Sequence, residues 1–212
     1  MVETETYLEK LKLETGWLCL DFANTANWHA SDRPQEELNS YADLVGWARR
    51  VGVLTEPTAR RLLQEATSRL TEAALALDQA IALREAIYRI FSSMAGGRPA
   101  NTDDVELLNT ALSEGLVWLR LVPMTDRLVW GWAGDETALD RMLWPAARSA
   151  AELLTSEEVD RVKECADDHG CGYLFFDTSR NRSRRWCDMK SCGNRAKVRR
   201  HRRRKHATDD TE

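Results

Sequence analysis

Four of the five cysteines in this 212-residue chain fall within one short segment, at Cys165, Cys171, Cys187 and Cys192. They form two pairs with five and four intervening residues, and fifteen residues separate the pairs. In a reducing cytosol such a cluster is more typical of metal binding than of disulfides. Four thiolates fill the tetrahedral coordination of Zn²⁺ completely. The spacing therefore predicts one structural zinc ion, with His169 as an alternative ligand in place of Cys165 or Cys171.

The segment around the second cysteine pair is strongly basic. From Arg180 to His206 there are 13 Lys/Arg residues and one acidic residue, Asp188, whereas the rest of the chain has 17 basic and 33 acidic residues. An acidic body with a basic tail indicates a polyanionic partner, although many charge runs are simply solvated. The predicted nucleic-acid-binding residues are Arg180, Arg182, Arg184, Arg185, Arg195, Lys197, Arg199, Arg200, Arg202 and Arg203.

Two predicted elements position these residues. The stretch GYLFFD (172–177) favours a strand that leaves the first cysteine pair, and GNRAKVRRHRRR (193–204) favours a helix that begins at the second. This order is that of a treble-clef-like finger, here at 161–206, followed by an acidic tail at 207–212. Since so small a segment buries little apolar surface, zinc would supply its folding free energy, on the order of 10 kcal/mol.

The preceding region, 1–160, is predicted to be mainly helical with a small antiparallel sheet, so the chain as a whole is α+β. The clearest helix covers 71–95, where apolar residues recur at steps of three and four. Other helices are expected from Pro34 or Gln35, from Thr55, from Asn101 or Thr102, over 137–154, and from Ser156 to Cys165. Residues 117–134 have the pattern of a β-hairpin, and 16–25 alternate like a third strand.

Several tryptophans fall in the predicted strands, at Trp17, Trp118, Trp130 and Trp132. Core packing explains them, and an aromatic-walled pocket is the alternative. The candidate ligand-binding residues near such a pocket are Asn24, His29 and Arg84. A lone Cys19 in the apolar run WLCLDF is expected to be a core residue.

The composition and motifs argue against enzymes and membrane proteins. No spacing joins the carboxylates of the body into an acid–base pair, and a four-thiolate zinc has no open position for substrate, so we expect no enzymatic activity. No apolar run approaches the ~20 residues that span a bilayer, and the first 16 residues are polar and acidic rather than signal-like. We expect a cytoplasmic protein associated with the bacterial nucleoid.

The segment CGYLFFDTSRNRSRRWCDMKSCGNRAKVRRHRRR, from Cys171 onward, closely resembles the CGNR-type zinc finger, named after the tetrapeptide found here at 192–195. The stretches CLDFANT (19–25) and ALREAIY (82–88) resemble the helical ABATE domain, which precedes this finger in proteins associated with stress-induced transcription regulation. The resemblance implies a bacterial transcription regulator with Cys165, Cys171, Cys187 and Cys192 as zinc ligands. Its N-terminal domain would sense a small-molecule effector or contact a partner.

The resemblance and the basic residues together predict a zinc-dependent DNA-binding protein. An RNA-binding module acting in translation or RNA processing is the alternative. Sequence-specific RNA readers use exposed aromatic side chains for base stacking, and the finger offers only Tyr173 and Trp186, which its own core needs. DNA is therefore favoured over RNA. A homodimer is compatible with this function, because regulators often read two half-sites.

Overall fold

The computed structural model describes residues 14–134, 136–167 and 169–200. The helices are α1 Leu18–Ala23, α2 Tyr41–Arg50, α3 Glu56–Ser68, α4 Leu70–Ala95, α5 Thr102–Leu116 and α6 Leu143–Leu154. The strands are β1 Ala26–Asn27, β2 Gln35–Glu36, β3 Leu119–Pro123, β4 Leu128–Trp132, β5 Val162–Glu164 and β6 Leu174–Phe176. A π-helical turn, Met189–Gly193, leads into α-helical residues at 194–200. Each strand pair, β1–β2, β3–β4 and β5–β6, forms a separate antiparallel two-stranded sheet.

Helix α4 is the centre of the helical body and confirms the predicted helix over 71–95. Its apolar stripe is buried from Ala73 to Ile90, whereas Met94 at its end is 37% exposed. The alanines on this stripe allow close approach, and α4 contacts every one of the other five helices. Because α4 also contacts β5 and β6, it joins the body to the cysteine-containing segment.

The predicted start is correct for two helices and wrong for a third. The Thr55 side chain accepts a hydrogen bond from the Thr58 N–H at the start of α3, and Asn101 caps α5 in the same way, as predicted. The helix predicted from Pro34 or Gln35 is wrong at its start, because Gln35 pairs with Asn27 in a short ladder. The helix begins instead at Tyr41, after Ser40 caps it.

The strand predicted at 16–25 is wrong, since residues 18–23 form helix α1. The alternation of apolar and polar residues was misleading. Cys19 and Leu20 are adjacent and both fully buried, whereas adjacent residues of a half-buried strand point to opposite faces. Helix α1 is enclosed between α4 and α6, so its several sides face the core. It therefore adds no third strand to the predicted hairpin.

The hairpin predicted within 117–134 is confirmed as β3 and β4, with Leu121 opposite Trp130. Its tryptophans pack rather than form one pocket: the rings of Trp118 and Trp132 lie 5.9 and 6.0 Å from that of Trp144 in α6. Trp17 lies far along the chain and packs against Phe176. The four tryptophans thus do not enclose a shared site.

The helix predicted from Ser156 to Cys165 is also wrong. A single 3₁₀ turn, Val159–Arg161, is followed by strand β5, which pairs with β6. The Ser156 hydroxyl does accept a hydrogen bond from the Glu158 N–H, but tertiary pairing with β6 then draws the chain into an extended form. None of the helices within the described ranges is long and apolar enough to cross a membrane.

Candidate zinc centre and nucleic-acid interface

The four predicted cysteines converge on one point. Their sulfur atoms all lie within 4.8 Å of one another, with 3.8 Å between the Sγ atoms of Cys171 and Cys187 and 3.6 Å between those of Cys187 and Cys192. Sulfurs 2.3 Å from a tetrahedral zinc lie about 3.8 Å apart, so the set fits Zn²⁺ closely. Cys165 and Cys171 lie in the connection between β5 and β6, and Cys192 lies in the π-helical turn. The chain therefore has one four-thiolate zinc site.

The alternative ligand His169 does not belong to this group, which within the described residues comprises the four cysteines. Cys19 is fully buried in the body, as predicted, and its burial raises the pKa of its thiol to about 12. Cys19 is thus an unreactive core residue and is not part of the metal-binding cysteine cluster.

Hydrogen-bond donors surround the thiolates. The Cys187 N–H donates to the Cys165 sulfur at 3.5 Å, and the Arg195 guanidinium donates to the Cys192 sulfur at 2.8 Å. Four thiolates and one Zn²⁺ carry two negative charges in total, so such donors stabilise the centre. Asp188 accepts hydrogen bonds from the N–H groups of Lys190 and Ser191 and so fixes the turn that bears Cys192.

Asp167, which sequence reasoning did not single out, anchors the basic helix. Its carboxylate accepts from Arg195 at 3.0 Å and from Arg199 at 2.6 Å. Burial opposes ionisation, but these two hydrogen bonds outweigh it and lower the pKa of Asp167. The helix is therefore clamped to the turn that follows Cys165, and Arg195 also lies over the Trp28 ring at 4.7 Å.

Asp177 organises the basic loop at 178–185 in the same manner. Its buried carboxylate accepts from Lys163 Nζ at 2.7 Å, from the N–H and hydroxyl of Ser179, and from the Arg184 N–H at 3.0 Å. Although burial raises the pKa of this carboxyl, the four donors together lower it well below its usual range. One sequence signal pointed to this role, namely an acidic residue directly after the two phenylalanines of the strand.

The predicted nucleic-acid-binding residues divide into two groups. Arg195 and Arg199 are paired with Asp167, while Arg184 donates to the carbonyl groups of Trp186 and Cys187 and lies 4.6 Å from the Phe175 ring. These three side chains thus build the finger itself. The second group is solvent-exposed and comprises Arg180, Arg182, Arg185, Lys197 and Arg200. Arg202 and Arg203, like the acidic tail 207–212, lie outside the described residues.

The candidate ligand-binding residues of the body have protein partners instead. The Asn24 side chain bonds both backbone groups of Leu174, and the buried Arg84 pairs with Glu36 and Glu85. His29 Nε2 lies 3.0 Å from the Glu85 carboxylate. Each of the three candidate residues therefore has a partner within the folded chain, and their role in ligand binding stays a prediction.

Asn24 and the loop next to His29 lie where the body meets the finger. Gly172, with φ +63°, approaches so closely that an added Cβ would lie 2.5 Å from the Ala30 nitrogen. Glu164, directly before Cys165, accepts hydrogen bonds from the hydroxyls of Tyr88 and Ser92 in α4. The body and the zinc centre are therefore connected by buried polar contacts and by steric fit.

The fold and site define a zinc-finger protein with a helical N-terminal domain. A family model described as "Putative stress-induced transcription regulator" (ABATE) matches residues 16–157, and a CGNR zinc finger model matches residues 161–205. The first match spans more than half of the chain, so the chain belongs to the ABATE family and carries a CGNR zinc finger. A comparison with curated proteins found no match.

Proposed function

We propose that this protein is a zinc-dependent DNA-binding transcription regulator. The observation that carries the proposal is the sorting of charge around the zinc centre. The acidic residues Asp167, Asp177 and Asp188 are engaged by the finger's own donors, whereas five basic side chains remain exposed, on the 178–185 loop and on the C-terminal helix. Phosphates of a nucleic acid would relieve their mutual repulsion and release counterions.

DNA is favoured over RNA for a structural reason. The two aromatic side chains of the finger that could stack on bases are partly buried, and the Tyr173 hydroxyl donates to Glu14. Sequence-specific RNA readers need aromatic faces free for unstacked bases. A basic helix rooted at a rigid metal centre suits the major groove of a duplex instead.

For the N-terminal domain, we propose that it positions the finger and passes a signal to it. Helix α4 carries Arg84 and Glu85 near one end of the contact region, and Tyr88 and Ser92, which hold Glu164, further along. An effector or partner that displaced α4 would shift Glu164 and the neighbouring Cys165. The signal would therefore change the orientation of the finger and not its chemistry.

The first experiment is selection of the zinc-loaded protein on random duplex DNA and, in parallel, on random single-stranded RNA. We expect a recurring duplex motif, with affinity that falls steeply as salt rises. Enrichment of RNA alone would replace DNA by RNA in the proposal. Failure to bind either polymer at about 100 mM salt would refute it, since phosphate contacts supply most nonspecific affinity.

Two sets of variants locate the binding surface. Cys192→Ser is expected to lose zinc and duplex binding, whereas Cys19→Ser should keep one equivalent of zinc. Arg200→Ala should reduce the slope of log affinity against log salt by roughly 0.9, while Arg50→Ala, which removes the same charge at the end of α2, should not change it. Equal slopes for both arginine variants would show that the C-terminal helix does not contact phosphates.

A further inference from the structure

A cleft of about 590 Å³ lies between the C-terminal end of α4 and the finger. Its body side includes Gly96 and Arg98, and its finger side includes Lys163, Arg184 and Arg185. The body thus contributes a cation to a basic surface that the sequence analysis predicted in the finger alone.

The cleft has an excess of positive charge. Four cationic side chains line it against one carboxylate, that of Glu164. The Glu164 carboxylate is hydrogen-bonded to Tyr88 and Ser92 at 3.3 and 2.6 Å. Lys163 and Arg184 are committed to Asp177 and to backbone carbonyl groups, so Arg98 and Arg185 supply the charge that is available to a ligand.

Arg98 and Arg185 are both exposed, and within the described ranges neither makes an ion pair with a carboxylate. Arg185 is held in place because its carbonyl accepts from the Ala166 N–H at 2.9 Å and its guanidinium lies 5.4 Å from the Trp186 ring. The Arg98 guanidinium lies close to Gly96, where an added Cβ would be 3.6 Å from its Cζ. Each side of the cleft therefore presents one unpaired guanidinium.

We propose that this cleft binds a phosphate of the nucleic-acid backbone between Arg98 of the body and Arg185 of the finger. The inference rests on the proposed function, because Arg185 belongs to the exposed basic loop that would follow the same backbone. It extends the binding surface from the finger onto the ABATE domain. A displacement of α4 would then move a phosphate contact directly.

The test compares full-length, zinc-loaded Arg98→Ala with wild type and with Arg50→Ala in duplex binding at several salt concentrations. We expect Arg98→Ala to weaken binding roughly 2- to 10-fold at about 100 mM salt and to lower the salt slope by roughly 0.9. Arg185→Ala should behave similarly, and Arg50→Ala should match wild type. Because Arg98 is exposed, its variant should unfold at the wild-type temperature.

The outcomes separate this inference from the function on which it rests. Wild-type affinity and slope for Arg98→Ala, with normal binding by the parent protein, would overturn the inference alone. Absence of nucleic-acid binding by wild type would overturn both. In a further arm, pyrophosphate is titrated without nucleic acid, and tight binding that depends on Arg98 would assign the cleft to a free phosphate compound and refute a backbone site.

Discussion

The Asn24 side chain forms the two hydrogen bonds to strand β6 that a neighbouring β-strand would otherwise form, at the buried face of the finger. Its Nδ2 donates to the Leu174 carbonyl at 2.8 Å, and its Oδ1 accepts from the Leu174 N–H at 2.9 Å. Asn24 is 8% exposed and Leu174 is fully buried. Asn24→Ala therefore removes the partners of both backbone groups of the buried Leu174.

The cost follows from the two groups left unpaired. A buried donor or acceptor without a partner costs about 1–3 kcal/mol, so for the two groups we expect Asn24→Ala to lower the free energy of unfolding by roughly 2–6 kcal/mol. For a chain of this size, in which 1 kcal/mol shifts Tm by roughly 2–4 °C, that corresponds to a fall in Tm of roughly 4 to 24 °C. Since Leu174 is three residues from Cys171, zinc should also pass faster to a chromogenic chelator.

Thermal unfolding of zinc-loaded protein and chelator kinetics measure the two effects. Asn109→Ala is the matched control, because Asn109 is exposed on α5 and its backbone carbonyl, which alanine retains, is the group that accepts from the Ser113 hydroxyl. Asn24→Asp should be as damaging as the alanine variant, since its carboxylate would face the Leu174 carbonyl. If Asn24→Ala unfolded and released zinc as the control does, the body and the finger would not depend on this contact.

Three further perturbations probe the same architecture. Asp177→Asn removes a buried charge that pairs with the partly exposed Lys163, and we expect a loss of up to about 3 kcal/mol in urea unfolding together with weaker duplex binding; unchanged unfolding would mean that the carboxylate does not order the loop. Gly172→Ala should destabilise the zinc-loaded protein because its Cβ meets the Ala30 nitrogen, whereas Gly97→Ala, also at positive φ but in open space, should cost less; equal losses would exclude the steric reason. Burial raises the pKa of Asp21 to about 6, so folding favours the protonated carboxyl and the stability of the protein falls as pH rises through this value. Asp21→Asn should therefore raise Tm at pH 7.5, and this gain in Tm should shrink toward pH 5. A difference in Tm that does not depend on pH would contradict this reasoning.

Sequence signals predicted those features whose causes are local. The α4 stripe, the Thr55 cap and the hairpin depend on residues within a few positions of one another. The zinc ligands were equally accessible, because four cysteines in a short segment have few other uses in a reducing compartment. By contrast, 18–23 is a helix because α4 and α6 enclose it, and no local period records that enclosure.

The division among the arginines could not have been read from the chain. Arg195 and Arg200 have similar neighbours in sequence, yet one donates to a cysteine sulfur and to Asp167 while the other is exposed. What separates them is a carboxylate 28 residues before Arg195, which only the folding of the finger brings close. Asn24 shows the same limit, since its partner lies 150 residues away along the chain.

The charge distribution explains why the proposed polyanion binding would depend on the metal. In the described part of the finger, each acidic side chain stabilises the fold. Glu164 bonds to the body, Asp167 to the C-terminal helix, Asp177 to the basic loop and Asp188 to the turn that bears Cys192. Because these carboxylates are engaged internally, the exposed arginines are left without full compensation. Bound zinc would fix the positions of both sets of charges, so its loss should disperse the exposed arginines even though their number is unchanged. Affinity for a phosphate backbone would then depend on geometry that the metal maintains, and not on net charge alone.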